Sequence, residues 1–523
     1  MIKKFIDKLL SKADSVRPRK PRFGKRVEVP ASVHGIDPTL VDRRALDVVS
    51  TLQDAGYAAY IVGGAVRDLL LGLRPKDFDV ATDATPEEVK HLFRRAFIIG
   101  RRFRIVHVVH GRGREHEVIE VSTFRAYLDS ADAEQVSGNE RTSKAALAGM
   151  THAVDASGRV LRDNVWGPQD QDAARRDFTV NAMYYDPRTQ VVVDYHKGIE
   201  DAQKRVLRMI GDAEQRYRED PVRIIRAVRF AAKLAHLGFA LEAKTAKPLR
   251  LCQPLLHEVP QSRLFDEMLK LLQTGHALAS VAQLQKLGLA QGIYPLLDVV
   301  VQRADEPLVR AALQDTDRRV SEGKAVAPSF LLACLLWQDV QTGWQQRQAS
   351  GEHAFPALQA AIDEVFEQRI GDISGRGKLA ADMREIWVMQ PRFDKRSGSQ
   401  PFSMVAHIRF RAGFDFFRLR SDVGDVSEEL VDWWQEFYAT DDARREDMMA
   451  QVREEMRQAQ RAQQRKAQPT VHRVPKAQAA GSADPVPPAS DEALGTDAPK
   501  KRRRRRRKPS GGAGDAPAQH GDD

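Results

Sequence analysis

The segment from Tyr60 to Asp79, YIVGGAVRDLLLGLRPKDFD, constrains this chain more than any other. A short β-branched run, Tyr60-Ile61-Val62, ends in Gly63 and Gly64. Arg67-Asp68 then starts a helix, and a second run, Phe78-Asp79-Val80, closes the segment. The second strand carries Asp77 and Asp79, and two residues that far apart on a strand point to one face. Held side by side, two carboxylates repel unless a divalent cation lies between them, and Mg²⁺ suits one or two carboxylates plus substrate phosphates. Gly63 and Gly64 remove side chains, so backbone N–H groups can approach a phosphate closely. Arg67 is then available as a charge clamp. A dinucleotide-binding unit fits poorly, because GGAVRD lacks the G-x-G-x-x-G spacing.

Further strands are expected at Ile105 to Val109 and Val118 to Ser122, and Thr85-Pro86-Glu87-Glu88 reads as a capped helix start. Between Leu128 and Gly158 lies a polar, Gly/Ala/Ser-rich stretch that reads as a long loop, functional or disordered. After Asp220 the pattern turns helical, as in IIRAVRFAAKL, LFDEMLKLLQ and LLACLLWQDV, with no strand signal of comparable strength. From about Gln451 the composition shifts to Gln, Ala, Arg, Pro, Ser and Gly, which predicts disorder.

At 523 residues the chain can bury two or three cores. Its Lys and Arg number 82 against 72 Asp and Glu, a formal charge of +10. Lys500 to Lys508 is an unbroken run of nine basic residues, and without it about +1 remains. Such a run is an arm for polyanions rather than a property of the body. Two cysteines, Cys252 and Cys334, in apolar helical settings exclude a disulfide framework and a zinc cluster and suit a reducing, cytoplasmic compartment. No stretch reaches the roughly 18 apolar residues of a membrane span. The N-terminal MIKKFIDKLLSK is basic and amphipathic, so residues 1–12 could make weak membrane-surface contact, or simply pack on the body.

Two further groups carry chemistry. In ARRDFTVNA (174–182), Arg175 and Arg176 can hold triphosphate oxygens, and Asp177 can accept from a ribose hydroxyl or orient an arginine. In REDPVRIIRAVR (218–229), Pro221 at the first helical position makes Asp220 a candidate N-cap with Arg223 one turn in. An acceptor and a donor at one helix start could pair with the edge of adenine or cytosine and would reject guanine and uracil. Glu120 is a candidate third acid for the metal; the histidines show no metal-ligand spacing.

IVGGAVRD, KDFD, RRDFTVNA and EDPVR, in this order, resemble the class II nucleotidyltransferases, which include tRNA CCA-adding enzymes and bacterial poly(A) polymerases. Within that family, Ile98 to Val108 (IIGRRFRIVHV), FRAGFDFFRLR (410–420) and the Arg-rich C-terminus are similar to the type I poly(A) polymerases. Val180, where Ile is frequent, and Ala174 ahead of the arginine pair are small departures.

The resemblance implies an α+β fold: a nucleotidyltransferase head with a small mixed β-sheet, then an all-α body and a disordered basic C-terminal tail. The expected segments are 1–44, a basic extension; 45–200, the catalytic head; 201–265, a nucleobase-reading neck; 266–450, a helical RNA-binding body; and 451–523, the tail.

It further implies that Asp77 and Asp79 hold two Mg²⁺ ions and that Asp177 completes the catalytic set; Glu120 stays the candidate third acid read from the strand. Nucleotide binding falls to Gly63, Gly64, Arg67, Asp68, Arg175, Arg176, Glu219, Asp220, Arg223 and Arg226. RNA binding falls to Arg101, Arg102, Arg104, Arg409 and Arg411, with Arg502, Arg503 and Arg504 in the tail. The expected reaction is attack of an RNA 3′-hydroxyl on ATP, by a monomer whose partners are RNA 3′ ends and RNA-decay proteins. The alternatives are a CCA-adding tRNA nucleotidyltransferase, which shares the head chemistry, and a noncatalytic RNA-binding protein on the same scaffold.

Overall fold

In the computed structural model the described residues are 23–100, 104–111, 117–127, 134–135, 152–154, 160–163, 165–370 and 377–467. The chain forms two units, Met1–Met456 and Arg457–Asp523, and the site lies in the first. The head strands are β1 (Val27–Pro30), β2 (Ala59–Val62), β3 (Asp79–Thr82), β4 (Ala96–Ile99), β5 (Ile105–His110), β6 (Glu117–Thr123), β7 (Glu134–Gln135), β8 (His152–Val154), β9 (Val160–Asp163), β10 (Met183–Asp186) and β11 (Val191–Asp194). Eight of them make one mixed sheet in the order β1-β11-β10-β2-β3-β6-β5-β4. Only β3 and β6 run parallel in it; β7, β8 and β9 make a separate small sheet.

The helices that position the site are α1 (Arg43–Asp54), α2 (Gly64–Leu70), α3 (Pro86–Leu92), α4 (Gln169–Arg175), α5 (Ala213–Glu219) and α6 (Val222–Ala235). Thr85 caps α3 as its sequence requires: its hydroxyl accepts from Glu88 N, and the Glu88 carboxylate accepts from Thr85 N. Alternation along the strands sorts the sheet into two faces. One carries Ile61, Val80, Val106, Val108, Ile119 and Val121 into a core with Val48, Val49 and Leu52 of α1 and Val89 of α3. The other carries Val62, Ala81, Tyr184 and Val193, packed with Phe124 and with Ala173 of α4.

Beyond α6 the described residues are helical apart from one two-residue strand. The three runs whose periodicity marked them as helices fall in α6, in Gln261–Leu272 with Gln273 as its C-cap, and in Pro328–Ala349; FRAGFDFFRLR lies in a further helix, Phe410–Asp422. The phenylalanines of FRAGFDFFRLR divide between two cores. Phe416 packs with Trp337, while Phe410, Phe414 and Phe417 surround Phe393. Gly413 between them admits Met389, whose Sδ would lie 2.4 Å from a Cβ built there.

Four expectations need correcting. The head begins before residue 45, because Val27–Pro30 pairs with β11 along its whole length. The stretch 128–158 is not wholly loop: it contains β7 and β8. A two-residue strand after Asp220, Ala240–Leu241, pairs parallel with Val206–Leu207. Residues from 451 on begin as helix rather than disorder, in a helix Asp442–Ala467 whose Met448, Met449 and Val452 are buried. Gln, Ala, Arg and Glu are good helix formers, and a few apolar anchors suffice to dock such a run. Residues 1–12, Arg101, Arg102, and Arg502 to Arg504 lie outside the described residues.

Candidate active site

Gly63 ends β2 and caps α2 at φ +78°, a conformation that costs glycine least. A Cβ there would lie 3.9 Å from both Asp79 Oδ2 and Arg176 Nη1. The end of β2, a carboxylate of β3 and a guanidinium at the end of α4 therefore converge on one place. Val62 and Asp79 are cross-strand partners, as are Asp79 and Glu120. This puts Glu120 on the same face beside Asp79, where the sequence placed it as a third acid.

Solvent reaches Asp79, yet protein atoms crowd it. That burial, with the charges of Glu120 and Asp77 and against the pull of Arg176, pushes its carboxyl up to about 6. Asp77 lies in the bend before β3 rather than on it, so the same-face argument holds for Asp79 and Glu120 across strands instead of for Asp77 and Asp79 along one. Among the described residues, no three His, Cys, Asp or Glu side chains form a ready metal cage. The donor chemistry nevertheless fits a hard cation: oxygen donors only, in mutual repulsion, on a face open to phosphate ligands.

Arg176 is fixed in place. It donates to Asp172 Oδ2 from Nε and Nη2 (3.2 and 3.1 Å), and its guanidinium lies 5.4 Å from the centre of the Tyr184 ring. Tyr184 donates to the same Asp172 oxygen at 2.7 Å. Arg67 departs from expectation. It is 2% exposed, donating to Asp68 Oδ1 at 2.9 and 2.7 Å and to Asn181 Oδ1 at 2.8 Å. Arg67 and Asp68 also sit inside α2, which starts at Gly64. Arg67 is thus a buried tie between α2 and the 179–181 turn, not a clamp open to phosphate.

Asp177 also takes a different part. Its two oxygens accept from Arg223 Nε, at 3.1 Å, and from Arg226 Nε. Burial alone would raise its carboxyl, but Arg226 and Arg223 outweigh it and hold the group well below the usual carboxylate range. Of the two roles open to it in the sequence, a ribose acceptor or an orienter of arginines, the second is the one this geometry displays.

The neck turn between α5 and α6 gathers the remaining candidates. Glu219 accepts from Arg216 Nη1 at 2.8 Å and from Arg223 Nη1 at 3.2 Å. Asp220 closes α5 rather than capping α6, whose N-cap is Pro221, and its carboxylate accepts from Arg263 at 3.1 and 3.2 Å. Arg216 and Arg263 went unnoticed in the sequence. Arg216 Nη2 donates to the carbonyls of Arg175 and Arg176 at 2.6 and 3.0 Å, pinning the arginine pair to the neck. Its three-residue spacing from Glu219 was the available signal; Arg263, 43 residues from Asp220, left none.

The arginines expected to bind RNA that can be placed all face carboxylates. Arg104 pairs with Glu87, Arg409 with Asp382 and with Glu385 at 3.6 Å, and Arg411 with Asp415 at 3.1 Å. Arg420, in the same helix as Arg411, is 8% exposed and bound to Asp425.

A mixed sheet with its acids beside a strand-ending glycine is the head of a nucleotidyltransferase, and residues 59–208 match the family model described as "Poly A polymerase head domain". Residues 238–300 match "Probable RNA and SrmB- binding site of polymerase A" and residues 350–469 match "Polymerase A arginine-rich C-terminus". The poly(A) polymerase I of Haemophilus influenzae is 40% identical over 435 residues, 82% of this chain and 91% of its own. That of Escherichia coli O157:H7 is 37% identical over 458 residues, 86% and 94%. The chain belongs to the bacterial poly(A) polymerase I family. A CCA-adding enzyme of Lactobacillus helveticus is 35% identical, but over only 44% of this chain and 49% of its own. A solved Bacillus stearothermophilus CCA-adding enzyme in complex with CTP covers 76% of this chain and 81% of its own, at 25% identity and a TM-score of 0.48. No described helix is long and apolar enough to cross a membrane.

Proposed function

We propose that this chain transfers AMP from ATP to RNA 3′ ends without a template, releasing pyrophosphate, as a cytoplasmic monomer that feeds RNA processing and decay. The observation that carries this reading is the convergence of Gly63, Asp79 and Arg176, with Glu120 one strand away. A bare strand end lets phosphate come close, Arg176 offers it a fixed positive charge, and the acids mark where cations belong.

Asp77, Asp79 and Glu120 are the residues that would hold Mg²⁺. When bound, it lowers the pKa of the attacking 3′-hydroxyl and stabilises the leaving oxygen. The protein's own part is positioning. Arg216 ties the backbone of Arg175 and Arg176 to the neck, so the phosphate-facing arginine and the base-facing turn move as one. Asp220 and Arg223 remain the candidate base readers, braced from behind by Arg263 and Asp177. Bracing fixes the acceptor and donor before a nucleotide arrives, which lowers the ordering cost of binding. The poly(A) reading over the CCA-adding one is supported by likeness that runs most of the chain for the former and under half for the latter.

The test is extension of an end-labelled, unstructured RNA oligomer with ATP and Mg²⁺ by the wild-type chain and by Asp79→Asn. The wild type should extend the RNA, and the variant should lose at least about a thousandfold in rate while binding RNA unchanged. Equal rates would remove Asp79 from the chemistry; RNA bound but never extended by either chain would favour the noncatalytic reading.

A further inference from the structure

The register that aligns the acids continues past them. Asp79 pairs with Glu120, Glu120 with His107, and His107 with Phe97, in one row that crosses β3, β6, β5 and β4 to the edge of the sheet. Cross-strand partners share a face, so His107 and Phe97 stand on the face of the acids. Residues two places along extend the row into a strip: Ile99 beside Ile105, and Val109 beside Val118. On the opposite face, Ala96, Val106, Val108, Ile119 and Val121 are buried. Phe97 is 57% exposed and Ile99 36%, on strands whose inward positions are closed. A Phe–Ile pair open to water on a sheet is a cost that stability alone does not explain.

We propose that this strip is the platform on which the RNA primer lies, with Phe97 stacking on a base just upstream of the 3′-terminal nucleotide. The idea rests on the polymerase reading above and adds where the acceptor strand sits. Strand spacing sets the geometry: three steps from Asp79 to Phe97 is roughly 14 Å, so a 3′-hydroxyl at the acids leaves the preceding nucleotides over His107 and Phe97. Bases stack on exposed aromatic rings regardless of their identity, which suits an enzyme that accepts varied RNAs. Charge agrees with this occupant: exposed Arg94 and Arg95 lead into β4. A strand from a protein partner added to the β4 edge is the other candidate. Four residues of edge offer it little, and it would leave unexplained why the strip runs in register with the acids.

The test is Phe97→Ala in the full chain, with RNA oligomers carrying 2-aminopurine at the second or third position from the 3′ end. Phe97 is exposed, so its removal leaves the fold intact, and Phe97→Trp restores the ring. Stacking on Phe97 should quench the fluorophore in the wild type and in Phe97→Trp, and Phe97→Ala should release it. The KM for RNA should rise roughly tenfold in Phe97→Ala while the KM for ATP stays put. An active wild type with the same RNA KM and the same quench in Phe97→Ala overturns the platform and leaves the polymerase reading intact. A wild type that extends no RNA overturns that reading first, and the platform with it.

Discussion

Asp177 is 12% exposed, between two arginines of α6 that both spend their Nε on it. Asp177→Asn keeps the shape and removes the charge, leaving Arg223 with Glu219 as its remaining ion pair and depriving Arg226 of the carboxylate its Nε donates to, in a largely buried place. Breaking such a pair costs on the order of 3 kcal/mol, so the urea midpoint of the variant should fall and its KM for ATP should rise as the braced arginines loosen. The pH dependence has a definite sign. A carboxyl held below its unfolded value contributes stability that is complete above about pH 4 and is lost as the pH falls through its lower folded value. The stability gap between wild type and Asp177→Asn should therefore be constant from neutral pH down to about 4 and narrow below it. A gap that widened under acid would mean Asp177 is not the charged partner of this pair.

At this scale the sequence was readable where chemistry is local and misleading where partners come from afar. Asp79, Gly63 and Arg176 were named from motif alone, and the fold brings the three side by side. Arg67 was misjudged because its partner Asn181 lies 114 residues away and takes the guanidinium out of the cleft. The same distance effect hid Arg263.

Elements were legible wherever backbone signals are strong. The capping box at Thr85 is complete, and a Thr→Ala change at such a cap costs about 1 kcal/mol. Thr85→Ala should accordingly lower the melting temperature by a few degrees or less and leave the rate of AMP transfer alone. Unchanged stability would show that tertiary packing of Val89, not the cap, holds α3. Two elements escaped. β1 is a four-residue edge strand in a basic stretch, made a strand by its partner β11 rather than by its own composition. The helix through 451–467 was obscured because polar low-complexity composition and helix propensity share the same residues. Register, which aligns Asp79 with Phe97 across four strands, follows from pairing that no single-strand pattern contains.

For the molecule as a whole, charge is concentrated in one run. Lys500 to Lys508 carries nine of the ten net positive charges. If that run captures RNA by counterion release, deleting residues 500–508 should raise the KM for RNA at low salt. It should also flatten the dependence of log KM on log salt by up to about six, at roughly 0.7 per phosphate contact. The rate at saturating RNA should not move, because the run lies outside the segment that carries the acids and the neck. An unchanged salt slope would assign the run to something other than RNA.

The central claim is that a head shared with CCA-adding enzymes here adds A alone to any RNA. It is tested most directly by giving the chain all four nucleoside triphosphates together, with an unstructured oligomer and a tRNA lacking its terminal CCA in equal amounts, and sequencing the 3′ ends. Long A-only extensions on the oligomer are the predicted result. Products that stop at CCA, on the tRNA only, would contradict the account.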